Sequence, residues 1–172
     1  MRIIAGSHRG RRIVAPKGRA TRPTSDRVRE NAFNLIGPVD DADGIDLFAG
    51  SGALGLEALS RGAARMTFVE SDREACRTIN ANLDALGLRG TVLCQDVARA
   101  LGQERHDFDL VLCDPPYDYD LGRIAAAFQR LVRADGVLVL ESTSRAEAPE
   151  LEGLVVRTSR KYGAARLTLY EQ

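Results

Sequence analysis

Residues 45–55, Ile45-Asp46-Leu47-Phe48-Ala49-Gly50-Ser51-Gly52-Ala53-Leu54-Gly55, decide how this chain folds. Ile45–Phe48 reads as a buried strand, Gly50-Ser51-Gly52 as a tight turn, and Ala53–Arg61 as a helix closed by Gly62. Glycines at such a turn let the backbone approach a ligand closely, and the free N–H groups of the helix start favour partial negative charge. Downstream the same alternation repeats. Met66–Glu70 is a second strand, and Ser71-x-x-Glu74 is a capping box opening a helix with Cys76, Ile79, Leu83 and Leu86 on one face. Strands are expected at Thr91–Cys94, Phe108–Cys113 and Val137–Glu141, with helices at Val97–Leu101 and Leu121–Val132 between them. Leu154–Thr158 and Arg166–Tyr170, on either side of Tyr162-Gly163, predict a closing antiparallel hairpin.

Upstream of the decisive stretch, a helix is expected to begin at one of Thr24, Ser25 or Asp26 and to stop at Gly37-Pro38. Before it, Ile3-Ile4 and Ile13-Val14 flank a glycine-bounded turn and predict a hairpin or irregular arm. The sum is an α/β fold: a mostly parallel seven-stranded sheet with helices on both faces and a C-terminal antiparallel hairpin. We expect an arm over residues 1–23 and one domain over 24–172. Ligands of such sheets bind beyond the carboxyl ends of the strands, so the residues just after each strand are the ones to examine.

The composition, 44% apolar and 28% charged, is that of an ordinary globular protein, and no apolar run reaches the ~18 residues of a membrane span. Met1-Arg2-Ile3-Ile4 lacks a signal-peptide body, so a cytoplasmic protein is expected; a monomer is expected as well. Cys76, Cys94 and Cys113 have no metal-site spacing, and His8 and His106 have no metal-like partners, so no metal is expected. The net charge of zero hides a segregation. Residues 1–30 carry nine basic side chains against Asp26 and Glu30, a net +7 that leaves −7 on the rest. The set is almost all arginine, whose guanidinium forks suit phosphate oxygens. Arg9, Arg11, Arg12, Lys17 and Arg22 are therefore candidate contacts to a polyanion such as RNA.

Gly50-x-Gly52-x-x-Gly55, with the acidic Glu70 twenty residues after Gly50, indicates an adenosine cofactor. A carboxylate at Glu70 can accept ribose hydroxyls. Asp96, ending the third strand, can accept from an adenine amino group while Val97 offers its N–H; a plain helix cap is the competing reading of Asp96. These features alone fit a dinucleotide as well as S-adenosylmethionine. Asp114-Pro115-Pro116-Tyr117 after the fourth strand separates the two. Two prolines must end the strand and make a rigid loop. That loop presents a carboxylate (Asp114), an unpaired carbonyl (Pro115) and a stacking ring (Tyr117), which match the two N–H donors and flat face of a base carrying an exocyclic amine. Hydrogen bonds from both protons would aim the nitrogen lone pair at a sulfonium methyl, while nearby carboxylates stabilise the shifting positive charge.

The chain closely resembles the bacterial small-subunit ribosomal RNA guanine-N2 methyltransferases, the RsmD family. The likeness runs from Met1-Arg2-Ile3-Ile4-Ala5-Gly6 through Thr21-Arg22-Pro23-Thr24-Ser25-Asp26-Arg27-Val28-Arg29-Glu30, the glycine loop and Asp114-Pro115-Pro116-Tyr117 to Arg160-Lys161-Tyr162-Gly163. It implies a class I S-adenosylmethionine-dependent methyltransferase (Rossmann-like) fold and a 16S ribosomal RNA substrate within a small-subunit particle. It also implies catalysis by the Asp114–Tyr117 loop and a cofactor site built from Asp46, Phe48, Gly50, Ser51, Gly52, Glu70, Asp96 and Val97, with Thr24 at its methionine end. Adenine-N6 methylation of DNA or RNA is the alternative that the glycine loop and acceptor loop leave open. A nicotinamide oxidoreductase would need a catalytic histidine or tyrosine–lysine pair, and none is evident.

Overall fold

The computed structural model describes residues 1–16 and 25–172. Seven strands form one sheet: β1 (Asp43–Leu47), β2 (Arg65–Glu70), β3 (Thr91–Cys94), β4 (Phe108–Cys113), β5 (Val132–Thr143), β6 (Val155–Tyr162) and β7 (Ala165–Glu171). Their order is β3-β2-β1-β4-β5-β7-β6. The first five are parallel; β7 runs antiparallel to β5 and to β6. Helices α1 (Asp26–Ile36), α2 (Ala53–Ser60) and α3 (Arg73–Leu86) cover one face, and α4 (Val97–Gln103) and α5 (Ala125–Leu131) the other. The expected mostly parallel sheet, two helical layers and C-terminal hairpin are therefore all present.

Strand alternation builds two cores from one sheet. Phe68, Leu110, Leu112, Val139 and Leu167 join α1–α3, whereas Ile45, Leu47, Val69, Val111, Leu138 and Leu140 join α4 and α5. Chain order reverses between β1 and β4, so the crevice beyond their carboxyl ends is the switch point of the sheet. No helix among the described residues is long and apolar enough to cross a membrane.

Several local readings are corrected. Asp72, not Ser71, caps α3: its carboxylate accepts from the Glu74 and Ala75 N–H groups, both at 2.9 Å, while the Ser71 hydroxyl turns back to Glu70. The helix expected over 121–132 is broken into a 3-10 turn at Leu121–Arg123 and the short α5, because the chain is pinned at Asp120, whose side chain accepts from the Gly122 N–H at 3.0 Å. β5 begins at Val132 and passes through a register shift before Val137, which no apolar run announces. Ser25 is the one of the three candidates that caps α1, accepting from the Val28 N–H.

The N-terminal residues form a minimal hairpin, one antiparallel bridge joining Arg2 and Arg12, with Ile3 and Ile13 buried in the α1–α3 core. A buried carboxylate fastens it. Glu57 Oε2 and Oε1 accept the Ile4 and Ala5 N–H groups at 2.9 Å, and the same carboxylate meets Arg61 at 2.8 Å and Arg29 at 3.5 Å. Arg29, counted above with the basic arm, is fully buried and lost to any polyanion. The boundary expected between residues 23 and 24 lies outside the described residues.

Candidate active site

The site is laid down by strand register. Leu47 pairs with Val69 on one side and Cys113 on the other, and Cys113 pairs with Leu140. Glu70, Asp114 and Glu141 thus follow at one level on β2, β4 and β5, and alternation turns Glu70 and Glu141 to the α1–α3 face. Asp46 lies one same-face step deeper on β1. Adjacent strands are about 4.8 Å apart, so Asp46, Glu70 and Asp114 line one trough at the switch point, the latter two acting on Asp46, with Glu141 one strand beyond.

Asp46 is buried, and its Oδ2 accepts the Gly55 N–H at 2.9 Å. Burial, and then the charges of Asp114 and Glu70, push its carboxyl up to about 7 against the single downward pull of Gly55. Gly55 is obligatory: a Cβ there would stand 2.4 Å from the Phe68 ring. Gly52 is left-handed at φ +78° and starts α2, and Phe48 takes φ +62°, a conformation that strains a side chain with Cβ. Glu70 is clamped between two loops: Oε2 accepts the Gly50 N–H at 2.9 Å, Oε1 the Asp72 N–H at 2.8 Å and the Ser71 hydroxyl at 3.4 Å. A carboxylate has about four acceptor positions. One is open to a ribose hydroxyl, and a second opens if the long Ser71 bond yields.

Asp96 caps α4, its Oδ1 accepting from the Arg99 N–H at 3.1 Å, with Arg123 at 4.0 Å. Val97 is buried in the α4–α5 core. Asp114 is half-buried and its N–H donates to Leu47 O at 3.4 Å, which ties the acceptor loop to β1; Pro115 is buried, whereas Pro116 and Tyr117 are exposed. The Cys113 thiol is pushed well up by burial and by Asp114, and Cys76 up to about 12, so neither is a thiolate nucleophile.

Three residues of this region escaped the sequence reading. Tyr119 stands edge-on to Phe48 at 4.7 Å against the α4–α5 core, with its hydroxyl buried; a second aromatic two residues after Tyr117 was the available signal. Glu141 repeats Glu70's signature, an acid ending a buried strand. Asn82 sits on the apolar face of α3 and joins the arm to the glycine loop: it accepts from Val14 N–H at 2.8 Å and donates to Val14 O at 3.0 Å and Ser51 O at 3.1 Å. Of the expected RNA contacts, Arg9, Arg11 and Arg12 are exposed on a hairpin whose tip lies by Ser60, at the end of α2 away from the glycine loop. Arg11 donates to Ala85 O at 2.9 Å. Lys17, Arg22 and Thr24 lie outside the described residues.

The trough suits a cationic ligand. Asp46 is desolvated and stands in the field of Asp114 and Glu70, and no group of His, Cys, Asp and Glu among the described residues converges to hold a metal ion. A pyrophosphate would add negative charge beside it, whereas a sulfonium with an ammonium group brings positive charge.

A family described as Conserved hypothetical protein 95 matches residues 1–171. The chain is 39% identical over 182 residues to YlbH of Bacillus subtilis, covering 100% of this chain and 99% of that protein. It is 44% identical over 119 residues to the ribosomal RNA small subunit methyltransferase D of Escherichia coli, 68% of this chain and 60% of that protein. Among solved structures, yhhF of Escherichia coli superposes with a TM-score of 0.90 at 34% identity, covering 100% of this chain and 97% of that one. SMU.776, a methyltransferase structure holding SAH, shares the fold at TM-score 0.69 and 12% identity over 85% of this chain and 48% of its own.

Proposed function

The chain belongs to the Conserved hypothetical protein 95 family, the RsmD family of its ribosomal RNA methyltransferase relatives, and from that membership and the acceptor loop we propose that it methylates the exocyclic N2 of a guanine in 16S ribosomal RNA, within a small-subunit particle. The observation that carries the reading is the rigid Asp114–Tyr117 loop, hydrogen-bonded to β1 beside a trough of carboxylates.

S-adenosylmethionine, when bound, supplies an electrophilic methyl on a sulfonium. Gly50, Ser51 and Gly52 let the backbone come close to it, Glu70 holds the ribose, and Asp96 with the Val97 N–H meets the adenine. Asp46 and Glu70 provide the countercharge. Asp114 Oδ and the Pro115 carbonyl accept the two amine protons, and Tyr117 offers its ring to the flipped base. As positive charge moves onto the nitrogen, the Asp114 carboxylate stabilises it and receives or relays the proton that must leave. Pro115 and Pro116 hold this geometry without rearrangement during the reaction.

The test is nucleoside mass spectrometry of small-subunit ribosomal RNA from cells lacking the gene, before and after incubation with the protein and S-adenosylmethionine. One N2-methylguanine is expected to be missing and then restored. Restoration of N6-methyladenine instead would overturn the guanine assignment; that chemistry occurs in a shorter match, a tRNA adenine-N6 methyltransferase of Shewanella halifaxensis, 36% identical over 76 residues.

A further inference from the structure

At the amino end of the sheet three cations are matched. Arg65 meets Asp43 at 2.6 Å, Arg133 meets Asp109 at 2.6 Å and Asp107 at 3.1 Å, and Arg157 meets Glu171 at 2.8 Å. At the carboxyl end, on the hairpin side of the acceptor loop, Arg145, Arg160 and Lys161 are exposed, and none is within ion-pair distance of a carboxylate among the described residues.

Register sets Arg160 and Lys161 side by side at the end of the edge strand β6, one on each face. Arg160 pairs with Leu167 and Leu167 with Glu141; Lys161 pairs with Arg166 and Arg166 with Ser142. Arg145 lies in the turn after β5, where Ser144 N–H donates to Ala164 O at 2.8 Å and Ala146 N–H to Thr143 O at 3.1 Å, bringing it beside the β6–β7 turn. From the β4 level of Asp114 to β6 is three strand steps, about 14 Å. Between them, at the end of β5, stands Glu141, and the chain after the acceptor loop carries the exposed Asp118 and Asp120 beside the trough. A polyanion would be repelled there unless cations beside the trough hold its backbone.

We propose that Arg145, Arg160 and Lys161 form an RNA-phosphate-binding rim on the β6–β7 side of the acceptor loop, so that the substrate strand is held next to the target base on the flank opposite the arm. The inference rests on the reading of the site as an RNA methyltransferase and adds a contact surface to it. Phosphate contacts release counterions, and each contributes about 0.7–0.9 to the slope of log affinity against log salt.

The test measures equilibrium binding of the full chain to a 16S ribosomal RNA transcript across a salt series. It compares wild type, R145Q/R160Q/K161Q, and the amino-end control R65Q/R133Q/R157Q. The rim variant is expected to flatten the slope by roughly 2–3 units and to raise KM for RNA. Its turnover at saturating RNA, S-adenosylmethionine affinity and melting temperature should match wild type. The control should keep the slope while melting earlier. A wild-type slope in the rim variant, or equal flattening in both triples, overturns the rim. Wild-type protein that binds with a rim-dependent slope but transfers no methyl group supports the rim while refuting the function proposed above.

Discussion

At the scale of single residues, the trough's charge sets the tests. Asp46 is protonated up to about 7 in the folded protein and only up to about 3.9 when unfolded. Between those values the native state binds the extra proton, so this residue's contribution to stability falls as pH rises through that window and levels off above it. Asp46→Asn keeps an acceptor for the Gly55 N–H and removes the buried charge; above pH 7 it should unfold at higher denaturant, by up to about 4 kcal/mol. A cationic cofactor favours the carboxylate, so wild type should release a proton on binding S-adenosylmethionine near neutrality and bind more tightly at pH 8 than at pH 6. Calorimetry in buffers of different ionisation heat measures this directly; heats that do not vary with buffer would exclude Asp46 as the countercharge. Asp114→Ala should lower turnover at least ~100-fold with cofactor affinity unchanged, and near-normal turnover would remove it from the chemistry.

At the scale of elements, the caps and staples are testable apart from activity. Asp72→Ala should cost about 1 kcal/mol of stability, the usual value of a helix cap, whereas Ser71→Ala should cost almost nothing; equal losses would restore the Ser71 reading. Glu57 is the larger case. It meets buried Arg29 and holds the arm's Ile4 and Ala5 amides, so Glu57→Ala strips Arg29 of its buried counterion, leaving only the exposed Asp26, and leaves two donors unmatched inside the protein. The expected loss is about 3–5 kcal/mol, with faster hydrogen exchange at Ile3 and Ile13, whose N–H groups bond within the hairpin. Stability within 1 kcal/mol of wild type, by chemical denaturation, would refute the staple. Replacing Arg29 by lysine should recover little, since a lysine cannot serve Asp26, Glu57 and the Arg2 carbonyl together.

At the scale of the molecule, charge is sorted by place. The basic arm is docked on α2 and α3, its tip turned from the glycine loop, while the acidic trough faces the carboxyl end. Arg9, Arg11 and Arg12 form no ion pair with a carboxylate among the described residues. Replacing all three with glutamine should flatten the salt slope of RNA binding by roughly 2–3 units and leave S-adenosylmethionine affinity alone. A loss of thermal stability with an unchanged slope would mean that they only solvate the hairpin.

Periodicity and punctuation were enough for the parallel sheet, its closing hairpin and the two loops at its switch point, because local spacing dictates those elements: glycines that only a tight turn accepts, prolines that end a strand, apolar runs of strand length. Asp114–Tyr117, Gly50, Gly52 and Glu70 were legible for the same reason. Charge segregation was legible too, but not its use, since Arg29 has the sequence signature of a surface cation and is buried by a carboxylate 28 positions away. Only the tertiary structure decided that Asp46 stands between Glu70 and Asp114, that Tyr119 packs on Phe48, that Asn82 binds arm to loop, and that Arg145, Arg160 and Lys161 stand without an ion pair among the described residues. Each depends on register between strands distant in sequence, and a single chain's local pattern carries no record of which residues will lie opposite one another.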